Sequence, residues 1–263
     1  MLASINDIDL LVIVAVVTIL LFVSFFSVLV VSLKRKMKYQ QGMQQLKEEQ
    51  QNQLIESAVK SEESERHRIA EQLHDEVGAI LSSARLHLAN IKAAGLSGTD
   101  ASLHSTAKEL LDAGIQKVRS ISHNLHSSIL KEFGLNEAVR HFIKHTAGQL
   151  AAVQVQLDDA YVAKNADDDI STYRMIQELV QNILKHAHAS ELTISSHFTG
   201  HNLQFIVMHN GDGLSQQQFE QLRFQTGGLG LRTILNRLVL LKGSIAFAKM
   251  PGRCTITLNI PKN

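Results

Sequence analysis

The sequence is poor in the residues that build disulfide-rich, zinc-binding and loop-rich folds. Cys254 is the only cysteine, which excludes an internal disulfide and a cysteine-rich zinc site. Two prolines and no tryptophan among 263 residues argue against a loop-rich all-β domain. Acidic and basic side chains nearly balance, with 26 Lys and Arg against 25 Asp and Glu, so the net charge is only +1. Because no excess of positive charge is available, we expect no direct binding to nucleic acid.

Charge is absent from a long stretch near the N-terminus. Residues 10–33 contain only Leu, Val, Ile, Phe, Ala, Ser and Thr. As an α-helix this stretch is about 36 Å long, enough to cross a hydrocarbon core of about 30 Å with some tilt. A cleaved signal peptide fits poorly, because Asp7 and Asp9 stand where a basic segment is expected and no small-residue cleavage site follows. The pattern therefore predicts a transmembrane helix.

Basic residues determine the predicted orientation of that helix. Lys34, Arg35, Lys36 and Lys38 follow it directly, and no Lys or Arg precedes it. By the positive-inside rule, residues 1–9 form a short extracytoplasmic segment, and the C-terminal part lies in the cytoplasm on the inner face of the cell membrane. So short a segment cannot form a sensing domain. Input is therefore expected through the span, the bilayer, a partner membrane protein or the connector that follows.

Two helical regions are predicted after the span. Residues 34–64 are rich in Gln, Glu, Lys and Ser, which favours a helical connector, with a disordered linker as the alternative. Residues 65–130 contain two amphipathic patterns, separated by a break at Gly95 and Gly98. A hairpin of two such helices cannot bury its apolar face alone, so we expect a homodimer with a four-helix bundle. The first apolar stripe comprises Ile69, Leu73, Val77, Ile80, Ala84, Leu88 and Ile91.

A histidine lies within a charged motif on the first of these helices. Residues 65–78 read ERHRIAEQLHDEVG, in which His74 borders the apolar stripe and Asp75 follows it. A neutral imidazole in such a position can attack phosphorus, and an adjacent carboxylate can orient the ring and accept its other proton. A surface histidine with an unrelated acidic neighbour is the alternative. Arg66 and Arg68 are either solvated charges or help to orient phosphate.

This motif resembles the phosphoacceptor helix of sensor histidine kinases of two-component systems, in the subfamily with the pattern E-R-x-R-I-A-x-x-L-H-D-x-x-G. The runs NLHSSIL and GLNEAV resemble that subfamily's second segment, with Asn124, His126 and Ser127 in place of Asp, Arg and Pro. The resemblance implies that His74 is phosphorylated and that Asp75 is catalytic. In this subfamily a Gln four residues after that Asp often supports phosphatase activity. Ala79 stands there and cannot hold a water, so we expect little phosphatase activity.

The remainder of the chain, residues 134–263, has a mixed α/β pattern. It predicts helices over residues 170–186 and 229–241, and an α/β sandwich with helices on one face of the sheet. Alternating apolar residues predict strands over 153–157, 192–198, 203–208, 244–249 and 255–260.

Three motifs in this region resemble the nucleotide-binding boxes of GHKL-type ATPases. The first, QELVQNILKHA, places Glu178 and Asn182 on one helix face. The resemblance implies that Asn182 coordinates Mg²⁺ together with ATP and that Glu178 supports the metal or a water. Lys185 and His186 would lie beside the phosphates. Mg²⁺ takes oxygen ligands and few protein groups, so a single asparagine is chemically reasonable.

The second box, MHNGDG, resembles a D-N-G-x-G motif whose Asp accepts a hydrogen bond from the adenine amino group. His209 stands in place of that Asp, and a neutral imidazole can still accept one hydrogen bond. Gly211 and Gly213 keep the backbone freedom of the turn, although N-G-D-G is also ordinary turn chemistry. The replacement by His209 favours an alternative function, a catalytically weakened dimeric signalling scaffold.

The third box, GGLGL, opens a helix and supplies Gly228, Gly230 and Leu231 to the expected ATP site. Glycines let the backbone approach phosphate oxygens, and a helix N-terminus supplies oriented N–H donors. Residues 214–226, between the second and third boxes, are interpreted as a short lid over ATP.

Taken together, the motifs over residues 64–263 imply an ATP- and Mg²⁺-dependent histidine kinase. It would phosphorylate His74 within a homodimer and pass the phosphoryl group to an aspartate of a cytoplasmic response regulator. A membrane-tethered ATPase is a weaker alternative, which the phosphoacceptor motif disfavours. A metal site is disfavoured despite 13 histidines, because no carboxylate or cysteine completes a ligand set with His141 and His145.

Overall fold

The computed structural model describes residues 7–91, 98–125, 128–148, 150–163, 165–223 and 229–262. The chain divides into two compact units, Met1–Leu54 and Ile55–Asn263. Helix α1 (Asp7–Gln72) contributes residues to both units, and residues 34–64, the predicted connector, are helical throughout.

The N-terminal apolar stretch forms part of α1. Because of this stretch, α1 is the single helix within the described ranges that is long and apolar enough to span a membrane, judged by length and composition alone. Its most apolar window has a mean hydropathy of 3.0, and none of that window is buried by the rest of the chain. The predicted apolar helix is therefore present as a helix.

A π-helical turn over Leu73–Val77 follows α1 and leads into α2 (Gly78–Ala89). The backbone N–H of Gly78 donates to the carbonyl of Leu73, which is the five-residue spacing of a π-turn. The apolar pattern of the sequence did not predict this turn.

Helix α3 (Gly98–Leu125) packs antiparallel to the end of α1 and to α2. Near the loop, a ring nitrogen of His104 lies 2.9 Å from the carbonyl oxygen of Leu88. At the other end, the buried Ser122 hydroxyl donates to the carbonyl of Ala70 over 3.0 Å. This hairpin leaves large apolar side chains uncovered, including Ile80, Leu86, Leu103 and Leu110, each more than 60% exposed.

The rest of the second unit is an α/β domain with a five-stranded sheet, which confirms the predicted sandwich. The strand order is β1-β2-β3-β5-β4; β1 and β2 are parallel and the other pairs are antiparallel. The elements are α4 (Ser128–Thr146), β1 (Ala152–Gln156), α5 (Ala166–His186), β2 (Glu191–Phe198), β3 (Asn202–His209), α6 (Gln216–Arg223), α7 (Leu229–Leu240), β4 (Ser244–Met250) and β5 (Arg253–Pro261).

One face of this sheet and the helices α4, α5 and α7 form the core. Alternate residues of β3 and β5 are buried, as expected for strands covered on one side. Helix α5 begins where the Asn165 side chain accepts the backbone N–H of Asp167, and its apolar stripe joins the same core. Gly134 interrupts α4 with a φ of 82°, a conformation that favours glycine.

The predicted lid differs from an open loop in its first part. Residues 216–223 form helix α6, whose Phe219 is only 2% exposed and stacks on Phe247 with ring centroids 4.6 Å apart. Burial of this aromatic side chain anchors the segment to the core. Residues 224–226, the end of the predicted lid, lie outside the described residues.

Candidate functional site

The His74 and Asp75 side chains lie on the π-helical turn and face solvent. Nδ1 of His74 is 2.9 Å from Oδ1 of Asp75, and the two side chains are 71% and 75% exposed. When Nδ1 carries the proton and donates to the carboxylate, the lone pair is on Nε2. The arrangement presents an oriented, accessible nitrogen nucleophile, at a local helix irregularity of the kind often found at functional sites.

The arginines near His74 are held by carboxylates of their own helix. Nε of Arg66 donates to Glu62 over 2.9 Å, and Arg68 forms a two-point ion pair with Glu65. The structure therefore assigns both side chains to ion pairs along α1.

The first and third nucleotide-box motifs pack against each other. Nδ2 of Asn182 donates to Oε1 of Glu178 over 3.2 Å, so the amide oxygen of Asn182 stays available as a ligand. A Cβ on Gly230 would lie only 1.8 Å from Oε1 of Glu178 and 3.4 Å from Nδ2 of Asn182. A larger residue at this position would displace the Glu178 side chain, and the glycine brings the N-terminus of α7 beside the two polar side chains of α5. Such an N-terminus favours phosphate.

The second motif is attached to the C-terminal end of α5. The backbone N–H of Asp212 donates to the carbonyl of Ala187 over 2.6 Å, and a Cβ on Gly211 would lie 2.1 Å from the same oxygen. The Asn210 side chain accepts the backbone N–H groups of Ser190 and Glu191 at 2.9 and 3.0 Å. This turn borders a cavity of about 600 Å³, whose other walls are residues 187–188, the β4–β5 hairpin and Cys254. Helix α5 thus connects all three motifs.

Two family matches cover these regions in the same order. Residues 65–130 match the family described as histidine kinase. Residues 167–263 match the family described as histidine kinase-, DNA gyrase B-, and HSP90-like ATPase. Together they account for more than half of the chain and include both the histidine helix and the three nucleotide boxes.

The chain belongs to the sensor histidine kinases. It is 26% identical over 214 residues to the sensor histidine kinase MctS of Rhizobium johnstonii, a match that covers 80% of this chain and 46% of that protein. The kinase described here therefore spans about half the length of this curated relative.

Two solved structures of histidine kinases align with part of this chain. The Acinetobacter baumannii histidine kinase AdeS has a TM-score of 0.41 and 19% identity, covering 70% of this chain and 94% of that chain. The histidine kinase domain of the Erythrobacter litoralis EL346 blue-light activated histidine kinase has a TM-score of 0.43 and 15% identity, with coverage of 70% and 94%.

His209, predicted to accept a hydrogen bond from adenine, is a buried residue at the end of β3 in this kinase. The residue is 5% exposed, and its Nδ1 has no hydrogen-bond partner among the described residues. Burial lowers the pKa of His209, against a weaker raising effect of Asp212, so the ring is neutral at pH 7. Cys254 lies opposite His209 in the β3–β5 register and also borders the cavity. Cys254 was not predicted to border the site, since strand register is not visible in sequence.

Of the remaining residues predicted to bind ATP, two are exposed, one is partly buried and one lies outside the described residues. Lys185 and His186 are exposed in the last turn of α5, beyond Asn182. Leu231 is partly buried and packs on the hydrophobic core. Gly228 lies outside the described residues.

Two buried arginines join the α/β domain of the kinase to the end of α1, and neither was predicted. Arg174 of α5 forms a two-point ion pair with Glu63, at 2.9 and 2.5 Å. Arg237 of α7 pairs with Glu62 over 3.1 Å. An arginine within the apolar stripe of a helix is the only sequence signal for such contacts.

The histidines for which the sequence disfavours a metal site stack on each other. The rings of His141 and His145 lie 4.1 Å apart at their centroids, and burial lowers the pKa of His141. In the part of the chain that the structure describes, no three side chains of His, Cys, Asp or Glu converge as metal ligands.

Proposed function

We propose that this chain is a membrane-anchored protein-histidine kinase that transfers the γ-phosphoryl group of ATP to His74 and then to an aspartate of a response regulator. The main support for the proposal is the packing of Gly230 against Glu178 and Asn182. The same chain exposes His74, whose ring is oriented by the carboxylate of Asp75. Each half of this arrangement supplies one of the two parts that phosphoryl transfer needs, a phosphate site and a nucleophile.

The first step forms a bond between Nε2 of His74 and the γ-phosphorus and breaks the bond from phosphorus to the β–γ bridging oxygen, which leaves with ADP. As the N–P bond forms, the proton on Nδ1 becomes more acidic. Oδ1 of Asp75, 2.9 Å away, holds or accepts that proton. In the second step a regulator aspartate takes the phosphoryl group and His74 regains its lone pair.

The residues at the phosphate end fit Mg²⁺. Glu178 occupies the amide N–H of Asn182, so the oxygen of Asn182 is left to bind the metal, and Glu178 retains a second oxygen for a metal-bound water. When bound, Mg²⁺ neutralises charge on the phosphates. Gly230 lets the phosphates approach the backbone N–H groups at the start of α7.

The proposal also includes anchoring of the chain in a membrane and its assembly into a dimer. The apolar stretch of α1 supports a single membrane span, with the C-terminal part in the cytoplasm. Exposed Ile80 and Leu110, each 68% exposed, support closure of the hairpin into a four-helix bundle with a second copy. The stimulus would reach the kinase through the span, the bilayer, the connector or a partner membrane protein.

Labelling with γ-³²P-ATP and Mg²⁺, on the purified chain in detergent, tests the proposal. We expect the wild type to be labelled and His74→Gln to lose the label while keeping ATP affinity, because His74 lies on the hairpin and not among the nucleotide boxes. His87→Gln, a change at an exposed histidine of α2, is the matched control and should keep the label. Labelling that survives His74→Gln would refute the assignment.

The catalytically weakened scaffold is the second candidate, favoured by His209, which is buried and whose Nδ1 has no hydrogen-bond partner among the described residues. It predicts a dimer that does not bind ATP, whereas the kinase predicts ATP binding that saturates. Equilibrium binding of ATP to the same preparation separates the two.

A further inference from the structure

Two buried ion pairs dock the α/β domain on the end of α1 in the same chain. The side chains of Arg174 and Arg237 are 2% and 1% exposed, and their partners are Glu63 and Glu62. Arg174 also donates to the backbone carbonyls of residues 124–125, the end of α3. The α/β domain is therefore held against both helices of its own hairpin.

The connection between hairpin and domain is also short. Helix α3 ends at Leu125, and α4, whose apolar side chains belong to the core of the α/β domain, begins at Ser128. Three Cα–Cα steps span at most about 11 Å. The covalent link thus keeps the domain beside the hairpin that precedes it, as the ion pairs do.

The ion pairs hold one end of the helix pair α5 and α7, and the phosphate site lies at the other end. Along α5, Asn182 comes eight residues after Arg174, a rise of about 12 Å. Along α7, Gly230 comes seven residues before Arg237, a rise of about 10 Å. Both paths end at the contact between Gly230 and the polar side chains of α5, so the two helices are antiparallel.

Helix α5 runs in the same sense as the end of α1. The pKa of Lys60 is raised by its hydrogen bond and charge contact with Glu56 and, more weakly, by the charge of Asp167 in the first turn of α5. Further along α5, Arg174 bonds Glu63, which comes three residues after Lys60 on α1. The path along α5 towards the phosphate site therefore leads along α1 towards the π-helical turn.

His74 lies on the same side of its helix as Glu63. Eleven residues separate them, which is about three turns and about 16–17 Å of helix. The phosphate site is displaced from the ion pairs by about 12 Å in the same sense, so the axial difference is only about 4–5 Å. His74 is 71% exposed, so the docked domain leaves the space in front of the ring open. A triphosphate bound at Gly230 can extend into this space.

We propose that each chain phosphorylates its own His74, so that autophosphorylation occurs in cis within the dimer. This inference rests on the proposed function and adds which copy of His74 is the substrate. Nε2 of His74 bonds to the γ-phosphorus as the bond to the β–γ bridging oxygen breaks and ADP leaves. Asp75 of the same chain holds or accepts the proton of Nδ1. The second copy closes the four-helix bundle and supplies no reacting group.

Mixed dimers of the full 263-residue chain in detergent test the inference. Two differently tagged copies are co-expressed, and purification over both tags isolates dimers with one of each. The first mixed dimer pairs a His74→Gln chain with an Asn182→Ala chain. The second pairs a wild-type chain with a chain that carries both changes. The two dimers contain the same substitutions, so any loss of stability is shared and each dimer is the matched control of the other.

With γ-³²P-ATP and Mg²⁺, we expect the second dimer to be labelled on its wild-type chain, at the rate per intact chain of the wild-type dimer. The first dimer should carry at most about one tenth of that label, through the lost Mg²⁺ coordination of its only chain with an intact His74. Full labelling of the first dimer overturns the inference, because the phosphoryl group then comes from the other copy. Equal labelling of the two dimers, or no labelling of either, overturns it as well, because a cis kinase needs one intact chain.

Failure of the proposed function has a different signature, since the wild-type dimer itself would then remain unlabelled. If the two tagged copies do not co-purify, dilution replaces the mixed dimers. Label per chain should then stay constant over about a hundredfold range of concentration, as expected for transfer within one chain. A fall of label per chain on dilution overturns the inference.

Discussion

Replacing Glu63 should destabilise the kinase far more than replacing a surface glutamate. Its partner Arg174 is 2% exposed and uses all five N–H groups. Nε and Nη2 donate to the Glu63 carboxylate at 2.9 and 2.5 Å, and Nη2 also donates to the carbonyl of Leu125 at 2.7 Å. Nη1 donates to the carbonyl of Asn124 at 3.0 Å and to the Gln177 side chain at 2.8 Å.

The expected magnitude follows from what Glu63→Ala leaves behind. The arginine stays buried without its counter-charge, and breaking a buried ion pair in this way costs about 3–5 kcal/mol. Glu63 is 21% exposed, so water can partly replace it and we expect the lower end, about 3 kcal/mol. A loss of this size lowers the Tm of a domain of about 200 residues by about 6–12 °C.

Thermal unfolding of the chain in detergent, followed by circular dichroism, measures the effect. Glu56→Ala is the control, because Glu56 pairs with Lys60 on the surface of α1, with side chains 53% and 68% exposed. Such a pair is worth about 0–1 kcal/mol. The double variant Glu63→Ala/Arg174→Met should recover part of the lost Tm, since it removes the buried arginine charge that has no counter-charge. Equal Tm changes for Glu63→Ala and Glu56→Ala would refute the reasoning.

Three further predictions concern other positions. Arg237 is fully buried, and its Nε and Nη1 have no described partner, so Arg237→Met should leave the Tm unchanged or raise it; a large fall would contradict this. Asn182→Ala should lower His74 labelling by about tenfold or more through lost Mg²⁺ coordination, with dimerisation by light scattering unaffected. The wild-type kinase should barely accelerate dephosphorylation of its regulator in the absence of ADP, and Ala79→Gln should raise it; strong wild-type acceleration would sink this idea.

Much of the architecture was predictable because it is encoded by local spacing. Alternation of apolar residues predicts β3 and β5 within a residue or two, and the i, i+4 spacing of Glu178 and Asn182 correctly places both on one helix face. The apolar N-terminal stretch reads as a helix by length alone. Helix α6 was missed, because its Gln-rich sequence resembles a loop and its order depends on burial of Phe219 against Phe247.

The order of the parts can be predicted from sequence alone: an apolar helix, a histidine-bearing hairpin and an α/β domain with three nucleotide boxes. Each of these depends on residues within a few positions of one another, where covalent spacing decides which side chains share a face. Three other features become visible only in the folded chain: Gly230 packs on Glu178, His209 is buried beside Cys254, and Arg174 pairs with a carboxylate 111 residues away. These contacts depend on strand register and helix packing. Both are set over the whole domain, where the fold minimises buried unpaired charge and empty volume. A local sequence pattern therefore does not predict them.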